Sequence, residues 1–172
     1  MLRLAILRHA EAVPQGTLAD SERPLTEAGR DMSVRMGRYF RDEGLAPDLA
    51  LVSPSVRTRE TFEGLLRGAK LEVAAEFPPA LYNASLDGLE DLLAETPEKV
   101  KFLLIVGHNP SFAEYAVARA AKGKKSELAK LRGHFPTPCL AVVDFDTKSW
   151  KKAARGEGRL EHFVTRGALA KE

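Results

Sequence analysis

Cysteine, long apolar runs and an excess of charge are all scarce in this sequence. The 172 residues include a single cysteine, Cys139, so no disulfide can form within the chain and a reducing compartment is expected. No apolar run reaches the roughly 18 residues of a membrane-spanning helix, and the opening stretch MLRLAIL is too short for a secretory signal. We therefore expect a cytoplasmic protein that does not enter a membrane.

The balance of charge also excludes some partners. The formal net charge is +2 and the isoelectric point is about 8.7, which is too small an excess to indicate nucleic-acid binding. The lysines are scattered, and no basic stretch is interleaved with aromatic residues, so a nucleic-acid partner is not expected. The one short basic cluster, Lys122–Lys125, is interpreted as a solvated loop.

The sequence does contain enough apolar residues for one core. Hydrophobic residues make up 44% and charged residues 29%, and the length fits a single domain over residues 1–172. Short apolar runs of strand length alternate with stretches in which apolar residues recur at helical spacing, and most of the runs show no polar alternation. This order predicts an α/β fold, a three-layer sandwich with a central, mostly parallel sheet flanked by helices.

The predicted elements are short and well separated. Thr26 is a plausible N-cap for the helix that begins at Glu27, and Gly44 is a plausible terminator. The polar segment Lys151–Arg159 is interpreted as a surface excursion. The predicted strands are Leu2–Leu7, Leu49–Val52, the weaker Leu71–Ala75, Phe102–Val106, Leu140–Phe145 and, as a last strand or coil, Leu160–Val164. The further predicted helices are Val56–Arg67, Leu86–Leu93 and Phe112–Ala121.

Polar or cationic side chains follow three of the apolar runs at the point where each run ends. Ligands of open α/β sheets bind outside the carboxyl ends of the strands, so these side chains are expected at one edge. The three junctions are Arg8-His9, Ser53-Pro54 with Arg57 beyond it, and Gly107-His108-Asn109-Pro110.

Two of these junctions also look like helix starts. Ser53-Pro54 and Asn109-Pro110 each pair a good N-cap with proline at the first helical position. Helix N-termini present free N–H groups and a positive dipole end, which attract anions. Two histidines, at least two arginines and two helix starts therefore predict an anion site, and phosphate is the expected anion. Asn109 is accordingly a candidate for phosphate contact.

A metal site is the alternative at this edge. His9 and His108 could supply two ligands, but zinc normally takes three or four. The sequence contains no HxH, HExxH or CxxC pattern, and Arg8 and Arg57 would repel a cation. We therefore expect no metal at the site.

Four motifs occur in the order in which one known family has them. They are LRHAEA, DSERPLTEAGR, VSPSVRTRETFE and VGHNPSF, which with the late strand FPTPCLAVVDFD span nearly the whole chain. On these motifs the sequence resembles the histidine phosphatase superfamily, and most closely its SixA-type phosphohistidine phosphatases. Ala10 stands where the Arg-His-Gly signature of the superfamily has glycine, a replacement that is usual in the SixA-type group.

The resemblance implies a role for each matching residue. His9 matches the nucleophile, and His108 matches the second histidine of the site. Arg8 and Arg57 match the phosphate-binding arginines, and Arg23 matches a third one in the SixA-type group. The resemblance also implies a phosphoglycerate-mutase-like fold and a reaction that uses no metal and no organic cofactor.

Many members of the superfamily place an acidic residue beside the second histidine of the site. This sequence has no clear match to that residue. In FPPALYNASLDGLEDLL, Asn83 stands near the place where an acid would be expected. Asp20, three residues before Arg23, is the better candidate for a proton donor, and a loop turn is the alternative explanation for it. A site without a committed acid favours a phosphoramidate, because imidazole, with a reference pKa of about 6.5, leaves with little help.

The sequence therefore predicts a phosphatase that removes phosphate from phosphohistidine in a protein, such as a phosphotransfer domain in signal transduction. A neutral imidazole attacks phosphorus and forms a covalent phosphohistidine, which water then hydrolyses. The first alternative is a phosphatase or mutase of the same superfamily that acts on small phosphomonoesters. The second is a protein that binds a phosphorylated ligand without catalysis.

Overall fold

The computed structural model describes residues 1–170, which form one seven-stranded sheet between two layers of helices. No helix in this part of the chain is both long and apolar enough to cross a membrane. The strands are β1 Leu2–Arg8, β2 Leu49–Val52, β3 Ala74–Glu76, β4 Phe102–Gly107, β5 Ala120–Gly123, β6 Cys139–Phe145 and β7 Gly158–Thr165. The helices are α1 Glu27–Asp42, α2 Val56–Ala69, α3 Leu86–Ala94, α4 Ser111–Arg119, α5 Lys125–Gly133, α6 Trp150–Ala153 and α7 Arg166–Leu169, with 3₁₀ turns at Asp20–Glu22 and Pro79–Leu81.

The strand order in the sheet is β3-β2-β4-β1-β6-β7-β5. Strands β3, β2, β4 and β1 pair in parallel, as do β7 and β5, whereas β6 is antiparallel to both of its neighbours. The predicted α/β fold with a mostly parallel central sheet is confirmed. Because β1 and β2 both pair with β4, the three strands that end in the three polar junctions are adjacent.

Apolar clusters cover both faces of the sheet, and β1 contributes to each. Leu4 and Ile6 belong to one cluster, whereas Ala5 and Leu7 belong to the other, and all four are fully buried. This explains why β1 reads as an unbroken apolar run. Burial of one leucine or isoleucine side chain stabilises the fold by roughly 1.5–3 kcal/mol. The central strands are therefore stable elements that fix the positions of the residues following them.

Helix α1 begins and ends where the sequence predicts. The Thr26 side chain accepts a hydrogen bond from the backbone N–H of Gly29 at 3.0 Å, as an N-cap does. The chain leaves the helix through Glu43 and enters the left-handed region at Gly44, where φ is +66°. Glycine is suited to this position because the absence of Cβ removes the steric penalty of positive φ.

Two predicted N-caps lie elsewhere. Helix α2 begins at Val56, the first residue of its predicted range, but its N-cap is Ser55 and not Ser53. The Ser53 hydroxyl lies instead 2.7 Å from Nε2 of His108. Helix α4 begins at Ser111, one residue before the predicted Phe112, and Pro110 is its N-cap rather than its first helical residue.

Two segments predicted to be irregular surface contain regular structure. The prediction for Lys151–Arg159 is wrong in part, because α6 extends to Ala153, Ala154 is buried and β7 begins at Gly158. The predicted loop Lys122–Lys125 includes the end of β5 and the start of α5, although its lysines are exposed. Strand β5 lies at the edge of the sheet, and short polar edge strands lack the apolar pattern that identifies buried ones.

Candidate active site

The three polar junctions lie together at the carboxyl ends of the adjacent strands β1, β4 and β2. Arg8 lies opposite Gly107 in the register of β1 and β4, and β2 pairs with β4 along its whole length. The rings of His9 and His108 have centroids 5.5 Å apart, and both residues are buried. The structure therefore places the two histidines at one edge of the sheet, as predicted.

His9 is held so that a specific ring nitrogen remains unprotonated. Its backbone N–H donates to the carbonyl of Gly107 at 3.1 Å. Its Nδ1 lies 2.6 Å from the carbonyl oxygen of Ala10, which can only accept, so Nδ1 carries the hydrogen and Nε2 carries the lone pair. Burial is the main cause that lowers the pKa of His9 to about 4, and Arg57 and Arg8 add to it against the Ala10 hydrogen bond. Near neutral pH the imidazole is uncharged and able to act as a nucleophile.

Arg8, the last residue of β1, is anchored by the backbone of a distant loop. Its Nη1 donates to the carbonyl of Phe135 at 2.9 Å. Its Nε is buried and has no hydrogen-bond partner among the residues that the structure describes. Burial lowers the pKa of Arg8, but a guanidinium stays charged in proteins. A buried donor without an acceptor, on a permanent cation, would be satisfied by a bound anion.

Arg57 lies in the first turn of α2 and is only 6% exposed. Its Nη1 donates to the backbone carbonyl of Asp20 at 2.7 Å, and its Nη2 donates to the carboxylate of the same residue at 3.1 Å. Nη2 also lies 3.3 Å from Nδ1 of His108. Within residues 1–170 the buried Nε of Arg57 has no partner either. Both predicted phosphate-binding arginines at the strand ends thus keep unpaired donors.

Arg23 lies beside Arg57 because both side chains bind Asp20. Nε and Nη2 of Arg23 are 3.0 Å and 2.9 Å from Oδ1 of Asp20. Nη1 of Arg23 donates to the carbonyl of Val13 at 2.7 Å. Asp20 therefore bridges two guanidinium groups. The structure brings Arg23 to the edge of the site, and its direct contact with phosphate stays a prediction.

Tyr82 is a site residue that sequence reasoning missed. Its hydroxyl donates to Oδ2 of Asp20, and its ring meets that of His108 edge-on, with centroids 5.6 Å apart and planes at 90°. Tyr82 lies in the stretch FPPALYNASLDGLEDLL, next to Asn83, which is exposed. The sequence carried no signal for it, because only the fold brings this tyrosine to a carboxylate 62 residues away.

Three donors hold Asp20 as a carboxylate. The hydrogen bond from Tyr82 is the largest cause that keeps the pKa of Asp20 well below its usual value, and Arg57 and Arg23 reinforce it against partial burial. Asp20 is therefore ionised in the ligand-free site and has no proton to donate near neutral pH. Its role as a proton donor stays a prediction, and the observed contacts make it the anchor of two arginines.

His108 follows β4 directly and has a different neighbour at each ring nitrogen. The guanidinium of Arg57 can only donate, so Nδ1 accepts, and Nε2 carries the hydrogen that the hydroxyl of Ser53 accepts at 2.7 Å. Burial first, and then Arg57 and His9, lower the pKa of His108 to about 3. Both histidines are therefore neutral before a ligand binds.

Asn109 is engaged by the scaffold. Its Nδ2 donates to the carbonyl of Phe135 at 2.9 Å, and its Oδ1 accepts from the backbone N–H of Ala113 at 3.2 Å. The same Phe135 carbonyl accepts from Arg8, so this backbone group links the ends of β1 and β4. Both polar atoms of the Asn109 amide already have partners within the protein. Its contact with phosphate stays a prediction.

Two cavities adjoin the residues predicted to bind phosphate. One, of about 340 Å³, is lined by Asp20, Tyr82 and His108 among others. The other, of about 600 Å³, extends from Arg8 between α4 and α5, and the half-exposed Val117 forms part of its apolar lining. The site thus offers more space than a phosphate ion needs.

The groups at the site suit an anion. No cluster of three or more His, Cys, Asp or Glu side chains able to hold a metal ion occurs in the described chain. The guanidinium groups around the two histidines repel a cation and attract a phosphoryl group. The arrangement can therefore hold a phosphoryl group and present a neutral imidazole nitrogen to it.

Comparison with known sequences agrees with this geometry. A family model for the histidine phosphatase superfamily (branch 1) matches residues 4–101. Phosphohistidine phosphatase SixA of Escherichia coli (strain K12) is 31% identical over 147 residues, which cover 84% of this chain and 86% of that protein. An uncharacterized protein of Mycobacterium tuberculosis is 28% identical over 139 residues, which cover 80% and 85% of the two chains.

Solved structures share the fold over almost the whole chain. A SixA-type protein from Agrobacterium tumefaciens matches with a TM-score of 0.80 and 28% identity, covering 95% of this chain and 97% of that one. The protein histidine phosphatase SixA complexed with tungstate matches with a TM-score of 0.78 and 24% identity, covering 98% and 99%. Since the family model fits more than half of the chain and the Escherichia coli sequence aligns with most of it, this chain belongs to branch 1 of the histidine phosphatase superfamily as a SixA-like phosphatase.

Proposed function

We propose that this protein removes the phosphoryl group from phosphohistidine in another protein, through a covalent phosphohistidine intermediate on His9 and without a metal. One observation carries the proposal. The carbonyl of Ala10 fixes the hydrogen of His9 on Nδ1, so the lone pair of Nε2 is available. Arg57 and Arg8 are near enough for their charge to lower the pKa of His9, and the Nε of each has no partner within residues 1–170. A neutral nucleophile near two guanidinium groups suits phosphoryl transfer.

The proposed reaction has two displacements. In the first, the lone pair of His9 Nε2 forms a bond to phosphorus as the phosphorus–nitrogen bond of the substrate breaks. The other ring nitrogen of the substrate takes a proton from solvent as the bonding electrons return to the nitrogen that carried phosphorus, so neutral imidazole leaves. In the second, water attacks phosphorus, the bond to His9 breaks, and phosphate and one proton leave. The arginines stabilise the charge on the phosphoryl oxygens throughout.

The choice of a phosphoramidate substrate follows from the state of Asp20. This carboxylate is bound by Tyr82, Arg57 and Arg23 and is ionised in the ligand-free site. An alkoxide leaving group would need a strong proton donor, whereas imidazole, with a reference pKa of about 6.5, needs much less assistance. The charge state of Asp20 therefore supports phosphohistidine over a phosphomonoester.

The choice of a protein substrate rests on the space beside Arg8. The cavity of about 600 Å³ between α4 and α5 begins at this arginine and is lined partly by apolar residues such as Val117 and Leu131. It offers room for chain that surrounds a phosphohistidine side chain. A phosphotransfer domain, whose phosphohistidine is exposed on a helix, is the kind of partner that we propose.

Trapping of the intermediate tests the proposal. The protein is incubated briefly with a ³²P-phosphohistidine protein, quenched in alkali, which preserves phosphohistidine, and digested for mapping. We expect label on His9, and none in the His9→Ala variant. Binding without transfer of label would show a phospho-ligand-binding protein, and label on another residue would contradict the assignment of the nucleophile.

A further inference from the structure

The second histidine is held by a residue that the phosphatase chemistry described above does not use. Ser53 follows β2 and is fully buried, and its hydroxyl lies 2.7 Å from Nε2 of His108. On the other side of the ring, Nδ1 lies 3.3 Å from Nη2 of Arg57. Nδ1 thus lies on the side of Arg57, and Ser53 occupies the remaining nitrogen.

The hydroxyl of Ser53 has capacity for either direction of hydrogen bonding. His108 is its one hydrogen-bond partner among the described residues. A serine hydroxyl carries one donor and two lone pairs, so Oγ can accept from Nε2–H or donate to an unprotonated Nε2. Ser55, two residues further on, is equally buried, but its hydroxyl bonds to Thr58.

Binding of a phosphoryl group changes which ring nitrogen of His108 must donate a hydrogen bond. Before binding, Nδ1 accepts from Arg57, which can only donate. When the guanidinium turns to phosphoryl oxygens, Nδ1 faces acceptors and has to carry a hydrogen. His108 is then either an imidazolium, in which Nε2–H donates to Ser53, or the opposite neutral tautomer, in which Nε2 accepts from Ser53. A buried nitrogen left without a partner destabilises the site, so a partner able to do both is favoured.

We propose that Ser53 is a positioning residue for phosphoryl transfer: its hydroxyl fixes the ring of His108 with Nδ1 toward the phosphoryl group and satisfies Nε2 in each protonation state. This inference rests on the proposed phosphatase function and adds a residue through which His108 acts. Ser53 does not touch the substrate, and its effect passes through His108.

The charges around His108 agree with a change of protonation state on binding. In the ligand-free site burial and Arg57, with smaller effects from His9 and Arg8, lower its pKa to about 3, while Asp20 opposes them. Tyr82 contacts the ring through its edge and carries no charge near neutral pH. A dianionic phosphoryl group would favour the imidazolium and raise this pKa. Ser53 is in place to accept from the added cation.

The test compares Ser53→Ala with the matched variant Ser55→Ala. Both changes remove one buried hydroxyl from the same loop, but only the first removes a partner of His108. Each protein is assayed with phosphohistidine peptide and with p-nitrophenyl phosphate, and tungstate affinity is measured by calorimetry. We expect Ser53→Ala to lower kcat by about 10–100-fold, with KM changed much less, because Ser53 acts through His108 and the loss of a donor that itself contacts the reacting group costs about 10²–10³-fold. Ser55→Ala should stay within about twofold of the wild-type protein.

Nitrogen NMR of the wild-type protein labelled with ¹⁵N-histidine provides an independent readout. We expect His108 Nε2 to be protonated without ligand and Nδ1 to become protonated with saturating tungstate. An unchanged His108 signal, or equal kcat values for the two alanine variants, would overturn the proposal. Failure of Ser53→Ala to fold leaves the NMR test decisive. Because tungstate binding and the His108 signals do not depend on the natural substrate, a failure of the proposed function would appear separately, as absent turnover of phosphohistidine by the wild-type protein.

Discussion

At the scale of single residues, Ala10 selects the reactive nitrogen of His9, the proposed nucleophile. The carbonyl of Ala10 accepts from Nδ1 of His9 at 2.6 Å and leaves Nε2 unprotonated. The backbone N–H of Ala10 donates to Oγ1 of Thr61 at 3.0 Å, so this residue is anchored to α2. Backbone groups therefore determine the tautomer on which the proposed chemistry depends.

Replacement of His9 by alanine tests the covalent route in steady-state kinetics. We expect His9→Ala to lose on the order of 10⁴-fold or more in kcat with the fold intact, because no other group can replace the nucleophile. The double variant His9→Ala, Arg57→Ala should be little slower than His9→Ala, since groups that act as one unit are not additive. Circular dichroism confirms folding, and substantial turnover by His9→Ala would refute the covalent mechanism.

Replacement of Arg57 by lysine tests whether the site needs a guanidinium or only a positive charge. Lysine keeps the charge but cannot donate to Asp20 and to a phosphoryl group at the same time with fixed geometry. We expect Arg57→Lys to reduce kcat/KM by about 10²–10³-fold and to weaken inhibition by vanadate or tungstate. Arg59→Lys is the matched control, because Arg59 is exposed on the same helix. Equal activity of the two variants would show that charge alone is sufficient.

At the scale of elements, the packing of α1 on α2 places Arg57 at the sheet edge. The helices approach closely at glycines: a Cβ at Gly68 would lie 2.0 Å from the carbonyl oxygen of Val34, and one at Gly37 would lie 2.1 Å from that of Leu65. Such contacts are with backbone, so only movement of a helix could relieve them. The position of α2, and with it the first turn that carries Arg57, depends on these two small residues.

Gly68→Ala should therefore destabilise the fold. We expect a loss of about 1–3 kcal/mol or more in the free energy of unfolding, as for overpacked sites, with a lower melting temperature. The control is Gly133→Ala in α5, where no atom lies within 4 Å of an added Cβ. That change should be neutral or stabilising by up to about 1 kcal/mol through helix propensity. Unfolding in urea measures both, and equal stability of the two variants would show that the α1–α2 contact adjusts freely.

At the scale of the whole molecule, the ionised Asp20 predicts how the rate depends on the leaving group. We expect kcat/KM to fall steeply as the pKa of the leaving group rises, and phosphohistidine peptide to exceed phosphoserine and 3-phosphoglycerate. General acid catalysis contributes about 10²–10⁴-fold, so a preference of that order is expected if no acid operates. The measurement uses phosphomonoesters of graded leaving-group pKa under one set of conditions.

A flat dependence on the leaving group would mean that a proton donor operates and that a small phosphomonoester is the substrate. In that case Asp20→Asn should abolish activity towards phosphomonoesters. If Asp20 acts only as the anchor of Arg57 and Arg23, the same change should lower turnover of every substrate by a similar factor.

The charge around the site predicts the effect of metal removal. Because guanidinium groups supply the positive charge that a metal would otherwise bring, we expect EDTA to leave the rate unchanged. Inorganic phosphate, vanadate and tungstate should inhibit competitively in the same assay. Loss of activity with EDTA, restored by zinc or magnesium, would disprove the metal-free mechanism.

The sequence by itself determined the features that are local in the chain. The apolar runs predict the central strands, and the polar residues that end them predict an anion site at one edge, because parallel strands expose their carboxyl ends together. The motifs around His9, Arg57 and His108 predict the family. The cap at Thr26 and the turn at Gly44 depend on neighbouring residues and are confirmed for the same reason.

Only the tertiary structure decided which distant groups meet. Tyr82 reaches Asp20 across 62 residues, Ser53 reaches His108 across 55, and the carbonyl of Phe135 reaches Arg8 across 127. None of these pairs has a local pattern, because each depends on which strands are neighbours and on where the loops after them turn. The lowered pKa of Asp20 and the tautomer of His108 follow from those contacts. The protonation states of Asp20 and His108 depend on groups that are distant in the sequence and close only across the sheet. They could therefore be found only in the folded chain.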